Sequence, residues 1–187
     1  MITKQGSGES LQIFNLAKGY EYSCVAIEPI YKSLSQKILK DTNNYKEKAI
    51  IIDKNNNIVL EKLGERNIIK FTDKELKKMD GCRLVHNHPS GMTLSEADIK
   101  LALDYNLKEI VAFSGKGKFY KLIIKDNLNK KELVLQYENI KKKTKSILLR
   151  LKKSNQLTSE HIKAEYQYFV ISAFANNNKG IKYEISN

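Results

Sequence analysis

The chain of 187 residues has no apolar run long enough to cross a bilayer. The longest, such as Ala49-Ile50-Ile51-Ile52, fall far short of the roughly 20 residues a spanning helix needs. Residues 1–9 lack the apolar core of a secretory signal. Cysteine is scarce. Cys24 and Cys82 are too few and too far apart for a disulfide framework or a CxxC metal knuckle, so a reduced, cytoplasmic setting is expected. Arginine is scarce as well. Only Arg66, Arg83 and Arg150 offer the planar fork that grips guanine or phosphate, and lysine carries most of the net charge of +12. Lysine among abundant Asn and Ile is what an AT-rich coding sequence produces. The charge therefore permits a nucleic-acid partner without specifying one.

What remains is ordinary for a globular domain, with 41% apolar and 29% charged residues and neither an internal repeat nor a low-complexity linker. Residues 1–26 carry no strong period. Apolar residues at 27, 30, 31, 34 and 38, with Pro29 in the first turn, predict a helix. Residues 48–53 read as a buried strand, 54–57 as a turn and 58–63 as the partner strand; 67–71 read as a third strand. Thr72 and Glu75 form a capping-box pattern for a short helix closed by Asp80-Gly81. Residues 82–86 predict a strand, and Ser95 caps a helix running to about Tyr105. Residues 108–113 and 118–124 predict a hairpin. In the tail, Leu133, Tyr137, Ile140, Thr144 and Leu151 recur at helical spacing. A second helix follows with Ile162, Tyr166, Val170 and Ala173 inward, ending at about Gly180. The expected class is α/β (α+β), a mixed sheet flanked by helices. It divides into an N-terminal segment 1–44 with one helix, a core 45–126, and a helical hairpin 127–187 packed on the core.

His86 and His88 lie two residues apart at the end of a predicted strand. Side chains at i and i+2 leave the same face of an extended backbone, so both imidazoles can converge on one ion. Pro89 and Gly91 then turn the chain out of the sheet. Asp98 falls in the first turn of the next helix, where its carboxylate can fold back towards the histidines. Two His, one carboxylate and an open fourth position form the pattern of a catalytic zinc. Taken alone, Asp98 reads as a helix N-terminal carboxylate and Ser95 as an N-cap. That reading leaves unexplained why two of the three histidines sit in His-x-His-Pro-Ser-Gly. His161 reads as an ordinary helix residue, and Cys82 as a core cysteine rather than a fourth ligand. The string His86-Asn87-His88 matches the name of the HNH nucleases in letters only.

The segment 85–98, Val-His-Asn-His-Pro-Ser-Gly-Met-Thr-Leu-Ser-Glu-Ala-Asp, resembles the JAMM/MPN-plus metalloprotease family. Its His-Asn-His-Pro-Ser-Gly form is closest to the RadC-like branch and to related phage- and toxin-associated modules. The resemblance covers about 45–126. It implies an MPN/cytidine-deaminase-like fold, Zn2+ held by His86, His88 and Asp98, and Ser95 in an oxyanion role. It also implies an upstream Glu as general base, a place occupied by Glu47 at the start of the first strand, with Glu61 and Glu65 as alternatives. The loop before Ser95 is one residue shorter than the family's usual one, which touches the placement of Ser95 and Asp98.

The expected activity is that of a zinc-dependent metallopeptidase or isopeptidase, cleaving a peptide or a Lys-linked amide. A ubiquitin-like protein substrate is suggested by analogy alone. Two other functions compete with it. One is a nucleic-acid-associated module using the basic tail (Lys130, Lys131, 141–145, 150–153). The other is a non-catalytic interaction domain in a phage or mobile element.

Overall fold

A computed structural model describes residues 25–126 and 128–186. Cys24 and the rest of 1–24 lie outside the described residues, as does the side chain of His161. The elements are α1 (Pro29–Thr42), β1 (Lys48–Ile52), β2 (Ile58–Leu63), α2 (Asp73–Leu76), β3 (Arg83–His88) and α3 (Glu96–Asp104). They continue with β4 (Glu109–Ser114), β5 (Phe119–Ile124), α4 (Lys130–Lys153), α5 (Ser159–Asn176) and β6 (Ile181–Ser186). The architecture is α+β, one six-stranded mixed sheet flanked by helices, in the order β2-β1-β3-β4-β5-β6. Only β3 and β4 run parallel, joined across α3; every other neighbouring pair is antiparallel.

Both faces of the sheet are covered, which is why β1, with its run Ala49-Ile50-Ile51-Ile52, is buried at every position. On one face Tyr31, Leu34 and Ile38 of α1 pack on Ile50, Val85 and Phe113. On the other, Ile99 and Leu103 of α3, Tyr137 of α4 and Phe174 of α5 close over Ala49, Leu84 and Ala112. Alternation along β3 thus sends Leu84, His86 and His88 to the α3 face and Val85 and Asn87 to the α1 face.

Two expectations change. Residues 67–71 join no ladder: a turn in which the Glu65 N–H donates to the Ile68 carbonyl carries the chain off β2. Ile69 and Phe71 gain burial by packing on the α3-side core instead of pairing at the sheet edge. The tail, expected as a helical hairpin alone, also supplies β6, whose alternating Ile181, Tyr183 and Ile185 join that same core. The hairpin itself has its inner stripe where the spacing put it, with Leu133, Tyr137, Thr144, Ile147 and Leu148 buried along α4. No helix of the described residues is long and apolar enough to cross a membrane.

Candidate metal centre

β3 extends through His88, two residues beyond the predicted strand, so both imidazoles stand on one rigid ladder beside β4. Gly91, at φ +74°, and its N–H bond to the His88 carbonyl turn the chain back at once. A side chain there would meet little, so the requirement for glycine is conformational. Ser95 then caps α3 in a full capping box, and its partner at the third helical position is Asp98. The shorter loop still delivers that carboxylate to the histidines.

His86 Nε2 lies 2.9 Å from His88 Nε2, and Asp98 places one oxygen 3.2 Å from His86 Nε2 and the other 3.3 Å from His88 Nε2. Ligands of a tetrahedral zinc at about 2.0–2.1 Å stand roughly 3.3 Å apart; one ligand atom from each of the three residues lies within 4.8 Å of the others, close enough to converge on one ion. His88 Nδ1 faces the Met92 carbonyl at 3.0 Å, a contact that makes Nδ1 the protonated nitrogen and leaves Nε2 as the ligand. His86 Nδ1 is buried and has no partner among the described residues. The donor set, two imidazoles and a carboxylate, suits zinc.

The electrostatics are mutually reinforcing. Burial opposes ionisation of Asp98, but the charges and hydrogen bonds of His86 and His88 override it and hold the carboxyl well below the usual range. Burial likewise opposes protonation of His88, but the Asp98 carboxylate, the Met92 carbonyl and the charge of Glu47 push its pKa up. Glu47 is pushed up by burial, partly offset by His86 and His88.

A cleft of about 520 Å3 opens on the cluster. Of the three glutamates considered for the base, Glu47 alone lines it. Glu61 is engaged by Lys37 and Lys48, which hold its carboxyl below the ordinary range, and Glu65 meets Glu47 through its backbone, its carbonyl accepting from the Glu47 N–H. Ser95 N–H and Oγ–H both donate to Asp98 Oδ2, at 2.6 and 2.8 Å, so the hydroxyl is turned to the carboxylate. Apolar Ile68, Ile69, Phe71 and Leu101 form much of the wall, and among the described residues no Lys or Arg lines it. Cys82 is buried, donates to the Lys78 carbonyl at 3.3 Å and stands outside the cleft. The lysines of the tail stand apart from it: Lys142, Lys145, Lys152 and Lys153 are exposed on α4, while Lys141 is drawn to Glu96 and Glu138.

Reasoning from the sequence did not single out Asn87, the Met92 carbonyl or Gln167. Asn87 binds the segment before β1, and Gln167 reaches the cleft from α5 while donating to Tyr137 Oη at 3.0 Å. Strand alternation places Asn87 on the face opposite the ligands, but no sequence signal marks a backbone carbonyl or a residue brought in from a distant helix.

Comparison of the chain with protein-family models, curated proteins and solved structures finds no match.

Proposed function

We propose that this chain is a zinc-dependent hydrolase of amide bonds, a metallopeptidase or isopeptidase of JAMM/MPN-plus type acting in the cytoplasm. The observation that carries the reading is the convergence of His86 Nε2, His88 Nε2 and Asp98 within 3.3 Å of one another, at the floor of a cleft that Glu47 also lines. A zinc ion bound there supplies Lewis acidity and an acidified water. Glu47 takes a proton from the attacking water and returns it to the leaving amine; burial raises its carboxyl above the ordinary range, which makes it the stronger base. Ser95 fixes Asp98, and an oxyanion role requires its hydroxyl to turn from Asp98 to the substrate. The apolar walls favour an extended peptide with a large apolar side chain beside the scissile bond.

The test is zinc stoichiometry by elemental analysis, followed by exposure of the loaded protein to a peptide library. Wild type and Glu47→Gln hold about one zinc and His88→Ala close to none. Wild type cleaves the library and Glu47→Gln does not. Wild type that stays empty after zinc loading overturns the reading.

A further inference from the structure

The antiparallel ladder between β1 and β3 stops at the Ala49–His86 pair. Beyond it the two chains part. β3 stays with β4, pairing Asn87 with Phe113 and His88 with Ser114. The chain entering β1 stays on the β2 side: Glu47 N–H donates to the Glu65 carbonyl, and Gly64 N–H donates to the Glu47 carbonyl, both at 2.8 Å. The gap opens beside the cluster, and one side chain spans it. Asn87 Oδ1 accepts from Lys48 N–H at 2.8 Å, and Asn87 Nδ2 donates to the Lys46 carbonyl at 2.9 Å. A longer bond of 3.2 Å runs from Nδ2 to Asn44 Oδ1. Asn87 itself is 0% exposed.

The carboxamide therefore grips the two peptide groups that flank the Cα of Glu47, offering the donor and acceptor that a neighbouring strand would offer. With Gly64 and Glu65, just past the end of β2, bonded to Glu47's own carbonyl and N–H, the backbone at Glu47 is fixed from both sides. Because successive side chains of a strand leave opposite faces, the tripeptide His86-Asn87-His88 serves two tasks. Its outer residues form the cluster, and its middle residue holds the glutamate that faces it.

We propose that Asn87 is a positioning residue whose carboxamide sets Glu47 against the His86–His88–Asp98 cluster. The inference rests on the metal-hydrolase reading above, and it concerns a residue that reading does not use. Aspartate at 87 keeps the volume and the acceptor for Lys48 N–H but removes the donor and sets an anionic oxygen against the Lys46 carbonyl. Alanine removes both bonds.

The probe is Co2+ in place of zinc, read by NMR in the full chain. Hyperfine-shifted imidazole protons report ligation, and the paramagnetic shift of the Glu47 carboxyl carbon reports its placement. In Asn87→Ala and Asn87→Asp, one Co2+ per chain and the imidazole signals are expected to persist while the Glu47 paramagnetic shift falls at least about twofold. With a cleavable peptide in hand, kcat is expected to fall about 100-fold at near-constant KM, the signature of a misplaced group. A Glu47 shift that matches wild type in a folded variant overturns the positioning role and leaves the metal reading standing. Absence of hyperfine-shifted imidazoles in wild type overturns the metal reading itself. Where Asn87→Ala does not fold, the volume-conserving Asn87→Asp decides.

Discussion

Ser95 and Asp98 are bound to each other three times: Ser95 N–H and Oγ–H donate to Asp98 Oδ2, and Asp98 N–H donates back to Ser95 Oγ at 3.2 Å. One motif thus starts α3 and aims the carboxylate of the candidate metal centre, because the helix cap and the orientation of the carboxylate use the same bonds. Ser95→Ala is expected to lose about 1 kcal/mol of stability through the cap. It is also expected to weaken zinc binding about 10- to 100-fold through the freed carboxylate. Thermal unfolding and chelator competition measure the two. Full zinc affinity together with lost hydrolysis would instead assign the hydroxyl to the substrate.

Metal binding to a preformed cluster must appear as stability. At free zinc about 100 times its Kd, wild type is expected to gain about 2.7 kcal/mol, with a matching rise in Tm. His88→Ala removes a ligand and is expected to show no zinc-dependent rise. Calorimetric scans with zinc and with chelator check this, and equal midpoints in wild type would count against the site.

Much of this was legible in the sequence because strand alternation and helix spacing are local. The i, i+2 histidines, the capping box at Thr72, the N-cap at Ser95 and the inner stripe of α4 all stand where the pattern put them. The strand β6 was equally visible in Ile181, Tyr183 and Ile185, a period of two directly after Gly180, but a six-residue strand needs a partner and β5 lies far away in sequence. The segment 67–71 shows the opposite case. Ile68, Ile69 and Phe71 have strand propensity, yet burial on the sheet face competes with edge pairing, and only the fold decides. Glu47 was preferred to Glu61 and Glu65 for its place at the start of the first strand; that it alone of the three lines the cleft is a three-dimensional fact.

The α1 side of the sheet carries an ion network, buried at Lys121 and Glu184, whose pH dependence has a definite sign. Lys121 pairs with Glu28 at 2.8 Å and Glu184 at 2.9 Å, and Lys182 also reaches Glu184. Burial would raise the Glu184 carboxyl, but Lys182 and Lys121 hold it below the ordinary range. Its contribution is therefore complete above the unfolded value of about 4.3 and is lost as pH falls through the lower folded value. Lys121 is shifted upward despite its burial, so its share is lost only as pH rises through its folded value, at the alkaline end. Glu184→Gln is expected to cost about 1–3 kcal/mol at pH 7, since Lys121 keeps Glu28, and the deficit is expected to shrink towards pH 3. Urea unfolding at both pH values checks it; an unchanged deficit would mean the loss is one of packing.

β6 also reaches the loop that follows His88. Tyr183 Oη lies 2.5 Å from Thr93 Oγ1, both residues are buried, and Thr93 directly follows the Met92 whose carbonyl faces His88 Nδ1. The hydroxyl pair ties the last strand of the sheet to the segment that fixes the His88 tautomer. Tyr183→Phe keeps the ring in the core and removes that tie, with an expected cost of about 1 kcal/mol. If the tie holds the Met92 carbonyl in place, zinc affinity is expected to fall by about tenfold as well, in the manner of an outer-shell partner. Isothermal titration of wild type and Tyr183→Phe with zinc separates the cases. A stability loss with unchanged affinity would show that the loop holds its own shape, leaving β6 to act on the core alone.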